Sequence, residues 1–175
     1  MLDLEKVAPA DLRLLQQIAQ EAYTKNFASH WEADGLAWYL NDQFGDERLQ
    51  ADLNNSNIAY FFIKKEREAI GFVKVKLASK LADFPLDTTA ELEKMYILPD
   101  HKGKGLGKRI LSNIIEKMRR QNKKIFFLCV IDTNEAAIHF YKKLGFSYHS
   151  KTRLEVPHFK EELKGMYRMV LSIKK

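Results

Sequence analysis

Pro99-Asp-His-Lys-Gly-Lys-Gly-Leu-Gly-Lys-Arg109 sets Gly103, Gly105 and Gly107 at alternate positions among lysines and an arginine. The apolar run Met95-Tyr-Ile-Leu98 stands before it. From Lys104 to Gln121 a helical pattern follows, with Leu106, Ile110, Leu111, Ile114, Ile115 and Met118 on one face. The stretch therefore reads as a turn from a strand into a helix. A helix N-terminus leaves about four amide N–H groups without intrahelical partners and carries roughly half a positive charge. Glycines remove the Cβ atoms that keep an anion off those amides, and Lys102, Lys104, Lys108 and Arg109 add formal charge. The turn is a candidate phosphate cradle. Its G-x-G-x-G spacing fits neither the P-loop, G-x-x-x-x-G-K-[S/T], nor the dinucleotide fingerprint, G-x-G-x-x-G on a domain's first strand. A plain glycine-rich connection has the same composition, so the flanking chain must decide.

Ala90 to Leu98 reads as the strand entering the turn. Downstream, Ile125 to Ile131 (I-F-F-L-C-V-I) is continuously apolar, as expected of a strand covered on both faces. Cys129 inside it reads as an inert core thiol. Together these segments make one strand–helix–strand unit, Ala90 to Ile131, whose crossover should be right-handed. Asn134 starts a short helix that Gly145 ends, both in the usual cap positions. Strand-like runs follow at Phe146 to Leu154 and Met166 to Ile173. Upstream, Asp11 to Phe27 and Trp31 to Leu53 read as helices, the second interrupted near Gly45. Ile58 to Ile63 and Ile70 to Leu77 form a hairpin around a polar turn. The order predicts one α+β domain over residues 1–175, built on a mixed sheet.

A chain of 175 residues can bury a real core, and its formal charge of +6 favours anionic ligands without choosing among them. One cysteine permits no intrachain disulfide. The N-terminus carries no apolar signal region, and no apolar run approaches the ~20 residues that span a bilayer. The expectation is a cytoplasmic protein with no membrane partner. Five histidines are scattered without ligand spacing, so no metal is implied. The basic cluster from Lys117 to Lys124 raises a nucleic-acid-binding module as an alternative. Stacking aromatics do not alternate with those basic residues, however, and no nucleic-acid motif is present.

With strand, turn and helix in view, the pattern resembles the GNAT superfamily of acyl-CoA-dependent N-acetyltransferases, whose central motif is a strand, then [Q/R]-x-x-G-x-[G/A], then a helix. Here K-G-K-G-L-G stands at Lys102 to Gly107, with Lys102 in place of the usual Gln or Arg. N-E-A-A-I-H-F-Y-K-K-L-G-F, Asn134 to Phe146, is similar to the family's second motif, N-x-x-A-x-x-x-Y-x-x-x-G-F. The segments A-Y-T-K-N-F (Ala22 to Phe27), A-I-G-F-V-K-V (Ala69 to Val75) and E-L-E-K-M-Y-I look closest to the PaiA-type branch, which acetylates polyamines and other small amines.

The resemblance implies an α/β/α arrangement. Its sheet would be mixed but mostly antiparallel, of six to seven strands with flanking helices, and would splay between the strands at 90–98 and 125–131. Acetyl-CoA would be the donor. Its pyrophosphate would sit on the amides of Lys102, Gly103, Lys104, Gly105, Leu106, Gly107 and Lys108, and its pantetheine beside Met95, Tyr96 and Ile97, with help from Asn134. Tyr141 stands at the general-acid position, although with Ala137, Phe140 and Leu144 it also completes a core-facing stripe. Glu93 is the first choice for a general base, with Glu91 on the same strand face; many relatives lack a dedicated base. Phe27, Trp31 and Tyr39, with Glu91, would form the acceptor pocket for a small cationic amine, a polyamine first. A protein N-terminus or lysine, or a CoA-binding regulator without catalysis, are the alternatives, in a monomer or homodimer.

Overall fold

Alternation along one hairpin creates the two faces of the molecule. In β2 (Ile58–Lys65) and β3 (Glu68–Lys76), Phe61, Ile63, Val73 and Val75 point to one side and Tyr60, Phe62 and Phe72 to the other. Each side buries its own core, so the sheet is covered on both faces. The computed structural model describes residues 2–103 and 105–173. The sheet has seven strands in the order β1-β2-β3-β4-β5-β7-β6, with β1 (Leu2–Lys6), β4 (Thr89–Ile97), β5 (Ile125–Ile131), β6 (Ser147–Arg153) and β7 (Gly165–Ser172). β4 and β5 pair in parallel, and the other neighbours are antiparallel.

Helices α1 (Leu12–Phe27), α2 (Gly35–Phe44) and α3 (Asp46–Leu53) supply Leu15, Tyr23, Phe44 and Leu49 to the core on the Tyr60–Phe62 side. Helix α4 (Leu106–Arg120) buries Ile110, Leu111, Ile114 and Met118 on the opposite face, where α5 (Glu135–Lys143) packs beside it. The mixed, mostly antiparallel sheet and the strand–helix–strand unit agree with expectation. The expected interruption of the second helical stretch at Gly45 divides it into α2 and α3. Two features differ. Trp31 precedes the helix, bridging to Phe159 instead. β1 was not expected: five residues on a sheet edge, L-D-L-E-K, carry too short an alternation to stand out, and only pairing with β2 fixes them as a strand.

One irregularity positions everything that follows. Along the β3–β4 ladder Lys74 pairs with Lys94 and Val75 with Leu92, so Glu93 is an extra, unpaired residue. Such a bulge bends a strand and re-aims its side chains. β4 and β5 remain paired only through Thr89–Leu92 and Ile125–Leu128. Beyond that point the two strands have no ladder between them, and the sheet opens as the family resemblance implies.

Candidate active site

The opening between the strands is the floor of a cavity of about 730 Å³ that passes through the sheet from the α1–α2 side to α5. Met95, Tyr96 and Ile97 line it along β4, and Leu128, Cys129 and Val130 along β5. This stretch of β4 has β3 on one side and no strand on the other, so its outer backbone edge can pair with a ligand except at the Ile97 carbonyl, which accepts from Asn26 Nδ2.

The glycine turn stands at one mouth of this cavity, which Lys102, Gly103 and Gly107 help to line. Gly103 and Gly105 have φ of 94° and 72°, the left-handed region where a side chain costs free energy, and Gly105 is the residue from which α4 starts. A Cβ built on either glycine would meet nothing within 4 Å. The space above the helix N-terminus is therefore open, as an anion cradle needs. Two of its amides are already engaged: Lys102 N–H donates to the Pro99 carbonyl (3.0 Å) and Leu106 N–H to that of Gly103 (3.1 Å). Lys104 lies outside the described residues, and Lys108 is exposed in the first turn of α4. Lys102 also ties the turn to α1 by donating through Nζ to Asn26 Oδ1. Asn26 Nδ2 in turn donates to the Ile97 carbonyl at 3.0 Å. Sequence reasoning missed Asn26 as the clasp between α1, β4 and the turn, although it lies in the quoted segment A-Y-T-K-N-F.

At the far side, Asn134 caps α5, its Oδ1 accepting from Ala137 N–H at 3.1 Å. Tyr141 lines the cavity from α5, its ring 5.2 Å from Phe140 and 5.8 Å from Phe146. Burial pushes its phenol up to about 12, so the hydroxyl keeps its proton through the neutral range.

The α1–α2 side carries an aromatic wall. Tyr23 stacks on Tyr39 at 4.5 Å and meets Tyr96 and Phe27 edge-on or tilted at 5.5 and 5.0 Å. Phe27 and Tyr39 face the cavity, as expected. Trp31 stands behind them, buried against Tyr39 at 4.8 Å and Phe159 at 5.0 Å, where it supports the wall.

Beneath the wall lies a network of charges. Glu91 and Glu93 do share one strand face, and both line the cavity. Glu93 Oε1 accepts from Lys94 Nζ (2.6 Å) and Lys74 Nζ (3.1 Å), and Lys76 Nζ lies 3.3 Å from Oε2. Lys74 Nζ also meets Asp52 Oδ2 (2.7 Å), which accepts from the Tyr60 hydroxyl, and Lys94 donates to Gln43 Oε1 (3.0 Å). Burial acts to raise the Glu93 carboxyl, but the lysines, Lys94 foremost, outweigh it and hold it down at about 2. Burial pushes Lys94 and Lys74 below the ordinary lysine value, against the pull of their carboxylates.

Three expectations need correction: Trp31, expected in the acceptor pocket, does not line the cavity, and the other two concern Glu93 and Cys129. Glu93 is in the cleft, but a carboxyl at about 2 has almost no affinity for an ammonium proton, which makes it a poor general base. Cys129 is not a core thiol. It is exposed in the cavity, because it is the first β5 residue past the end of pairing with β4 and has lost the cover that its neighbours keep. Among the described residues no group of His, Cys, Asp and Glu is arranged to hold a metal ion, and no helix is long and apolar enough to cross a membrane.

The model of the acetyltransferase (GNAT) family matches residues 12–146, which contain the turn, the opened strands and Tyr141. The chain belongs to the GNAT acetyltransferase family. Among curated relatives of this acetyltransferase, an uncharacterised N-acetyltransferase of Lactobacillus delbrueckii subsp. lactis is 23% identical over 146 residues, 83% of this chain and 84% of that one. The spermidine N(1)-acetyltransferase of Thermoplasma acidophilum is also 23% identical, over 149 residues, covering 83% and 88%. Among solved structures, the PaiA N-acetyltransferase of Thermoplasma acidophilum in complex with coenzyme A superposes with a TM-score of 0.77. That alignment has 19% identity and covers 98% of this chain and 99% of the other. The fold of this GNAT acetyltransferase is thus the fold expected from its two motifs.

Proposed function

We propose that the protein transfers the acetyl group of acetyl-CoA to the primary amine of a small molecule, by direct attack with both substrates in the cavity. The observation that supports this most is the single cavity joining an open glycine turn, an unpaired β4 edge and the Tyr141 hydroxyl. In this reading the amides around Gly103, Gly105 and Gly107 hold the pyrophosphate, and the Met95–Ile97 edge aligns the pantetheine. Lys102 and Asn134 brace the turn and α5 more than they touch the ligand. The acetyl group then lies in the opening, and amine comes to it from the aromatic side.

Three events must be assisted: loss of the ammonium proton, build-up of negative charge on the thioester oxygen, and departure of the thiolate. Three lysine ammonium groups within 3.3 Å hold the Glu93 carboxyl well below the ordinary carboxylate range, so it has little affinity for the ammonium proton. The amine therefore sheds its proton to water, and Glu93 acts as a fixed charge. A backbone N–H on the β4 edge serves the oxyanion. Tyr141 donates a hydrogen bond to the departing sulfur; full transfer from a phenol at about 12 to a thiolate whose usual pKa is about 8.5 is uphill. The Thermoplasma relative's name supports a polyamine as the acceptor to try first, and the faces of Phe27 and Tyr39 suit an ammonium.

Release of free thiol from acetyl-CoA, measured over a panel of amines, tests the reading. A hydrogen bond to a charged group contributes about 1.5–3 kcal/mol, so Tyr141→Phe should lower kcat roughly 10- to 100-fold with acetyl-CoA affinity unchanged. An unaltered kcat removes Tyr141 from the mechanism. Absence of thiol release with every amine overturns the proposed reaction.

A further inference from the structure

The acceptor end of the cavity terminates on Lys76, Glu91, Glu93 and Lys94, two cations and two anions. Behind them Lys74 and Arg48 face Asp52, which leaves the whole network one cation in excess. Its carboxylates are largely committed, but Glu93 Oε2 is buried without a hydrogen-bond partner, with only the Lys76 ammonium nearby at 3.3 Å. Glu93 answers to three ammonium groups within 3.3 Å, and Asp52 to Lys74, Arg48 and the Tyr60 hydroxyl. Glu91 accepts from Ser79 Oγ at 2.6 Å, with Lys76 at 3.6 Å.

The cations are not equally occupied. Lys74 and Lys94 have side chains only 1% and 5% exposed and hold their partners at 2.6–3.1 Å. Lys76 is 36% exposed, and its two contacts, at 3.3 and 3.6 Å, are longer than those of either buried lysine. Its ammonium has donors to spare and faces the cleft. A polycation entering here could set one ammonium beside Glu93 Oε2, but its second charge would then face Lys76 and Lys94. A molecule carrying both signs close together would meet both: its ammonium beside Glu91 and Glu93, its anion on Lys76.

We propose that the acceptor is a small zwitterion, an amine that also carries a carboxylate as amino acids do, and that Lys76 determines this specificity by binding the carboxylate. The inference rests on the acetyl-transfer reading above and narrows its acceptor from amines in general to this class. The aromatic wall of Phe27, Tyr39 and Tyr96 then receives the acceptor's apolar part.

Matched pairs that differ only in the carboxylate give the test: lysine against cadaverine, and ornithine against putrescine, with spermidine as the polycation. In the thiol-release assay, kcat/KM should be at least 10-fold higher for the carboxylate-bearing member of each pair. Lys76→Met should bring the ratio close to one, and Lys76→Arg should preserve it. Melting temperature and acetyl-CoA affinity, measured alongside, establish that each variant is folded. Equal or better turnover of cadaverine or spermidine, or a ratio indifferent to Lys76→Met, overturns the inference and leaves the acetyl-transfer reading standing. Should no amine release thiol, the acetyl-transfer reading fails by itself. Equilibrium binding of lysine and cadaverine to the CoA-saturated protein then decides the carboxylate preference, and equal or absent binding overturns it.

Discussion

Buried between Lys74, Lys76 and Lys94, Glu93 is the residue whose removal should be felt most widely. Taking away one partner of a buried ion pair costs about 3–5 kcal/mol, because the other charge stays in place unpaired. Glu93→Gln should therefore lower the melting temperature by roughly 6–20 °C for a chain of this size. The sign with pH follows from its depressed carboxyl. Against an ordinary value of 4.5, a folded value of about 2 contributes stability that is complete above pH 4.5 and lost as pH falls toward 2. Acid titration of the wild type should lose stability across that window more steeply than the Glu93→Gln variant. Equal slopes would remove the carboxylate from the network. Tyr141 and the glycines were legible in the sequence because motif spacing marks them. The charge network was not. Lys74 and Lys76 alternate with Val73 and Val75, a pattern that reads as a strand with one solvated face, and only α3 laid over that face buries Lys74 against Asp52.

At the level of elements, the bulge at Glu93 and the left-handed glycines at the head of α4 place the chemistry. Gly105→Ala separates shape from function. The methyl group meets no protein atom, so the change costs only the left-handed backbone, about 1–2 kcal/mol. Yet it fills the cradle. Acetyl-CoA should bind at least 10-fold more weakly, while the melting temperature without ligand falls by only about 2–8 °C. A variant that binds acetyl-CoA like the wild type would show that the phosphates rest elsewhere. The helices and long strands were readable because several turns or alternations of apolar residues repeat the same message. β1 was too short for that, and the bulge is a register event between two strands, which no single segment encodes. Cys129 was misplaced for the same reason: the apolar run around it is continuous, and the divergence of β4 that uncovers it lies about 35 residues away in the chain.

Across the whole molecule, two cores on opposite faces of one sheet hold the halves of the cavity in place. The aromatic wall and charged floor belong to the α1–α3 side, and Tyr141 to the α4–α5 side, where Phe140 and Phe146 support it. A pH profile reads this arrangement as a unit. With Glu93 held down by its lysines and Tyr141 at about 12, the proposed mechanism predicts that kcat/KM climbs with pH toward the acceptor's own amine pKa and shows no fall below pH 10. A bell centred near neutrality would reveal a base that the geometry does not supply. The central claim is that the open glycine turn and the parted strands together form a site for acetyl-CoA. Calorimetric titration of the intact chain with acetyl-CoA tests it most directly. Saturable binding of one molecule per chain is expected, with a rise in melting temperature of about 5–10 °C when the ligand stands at 100 times its Kd. No heat and no shift at millimolar acetyl-CoA would contradict it.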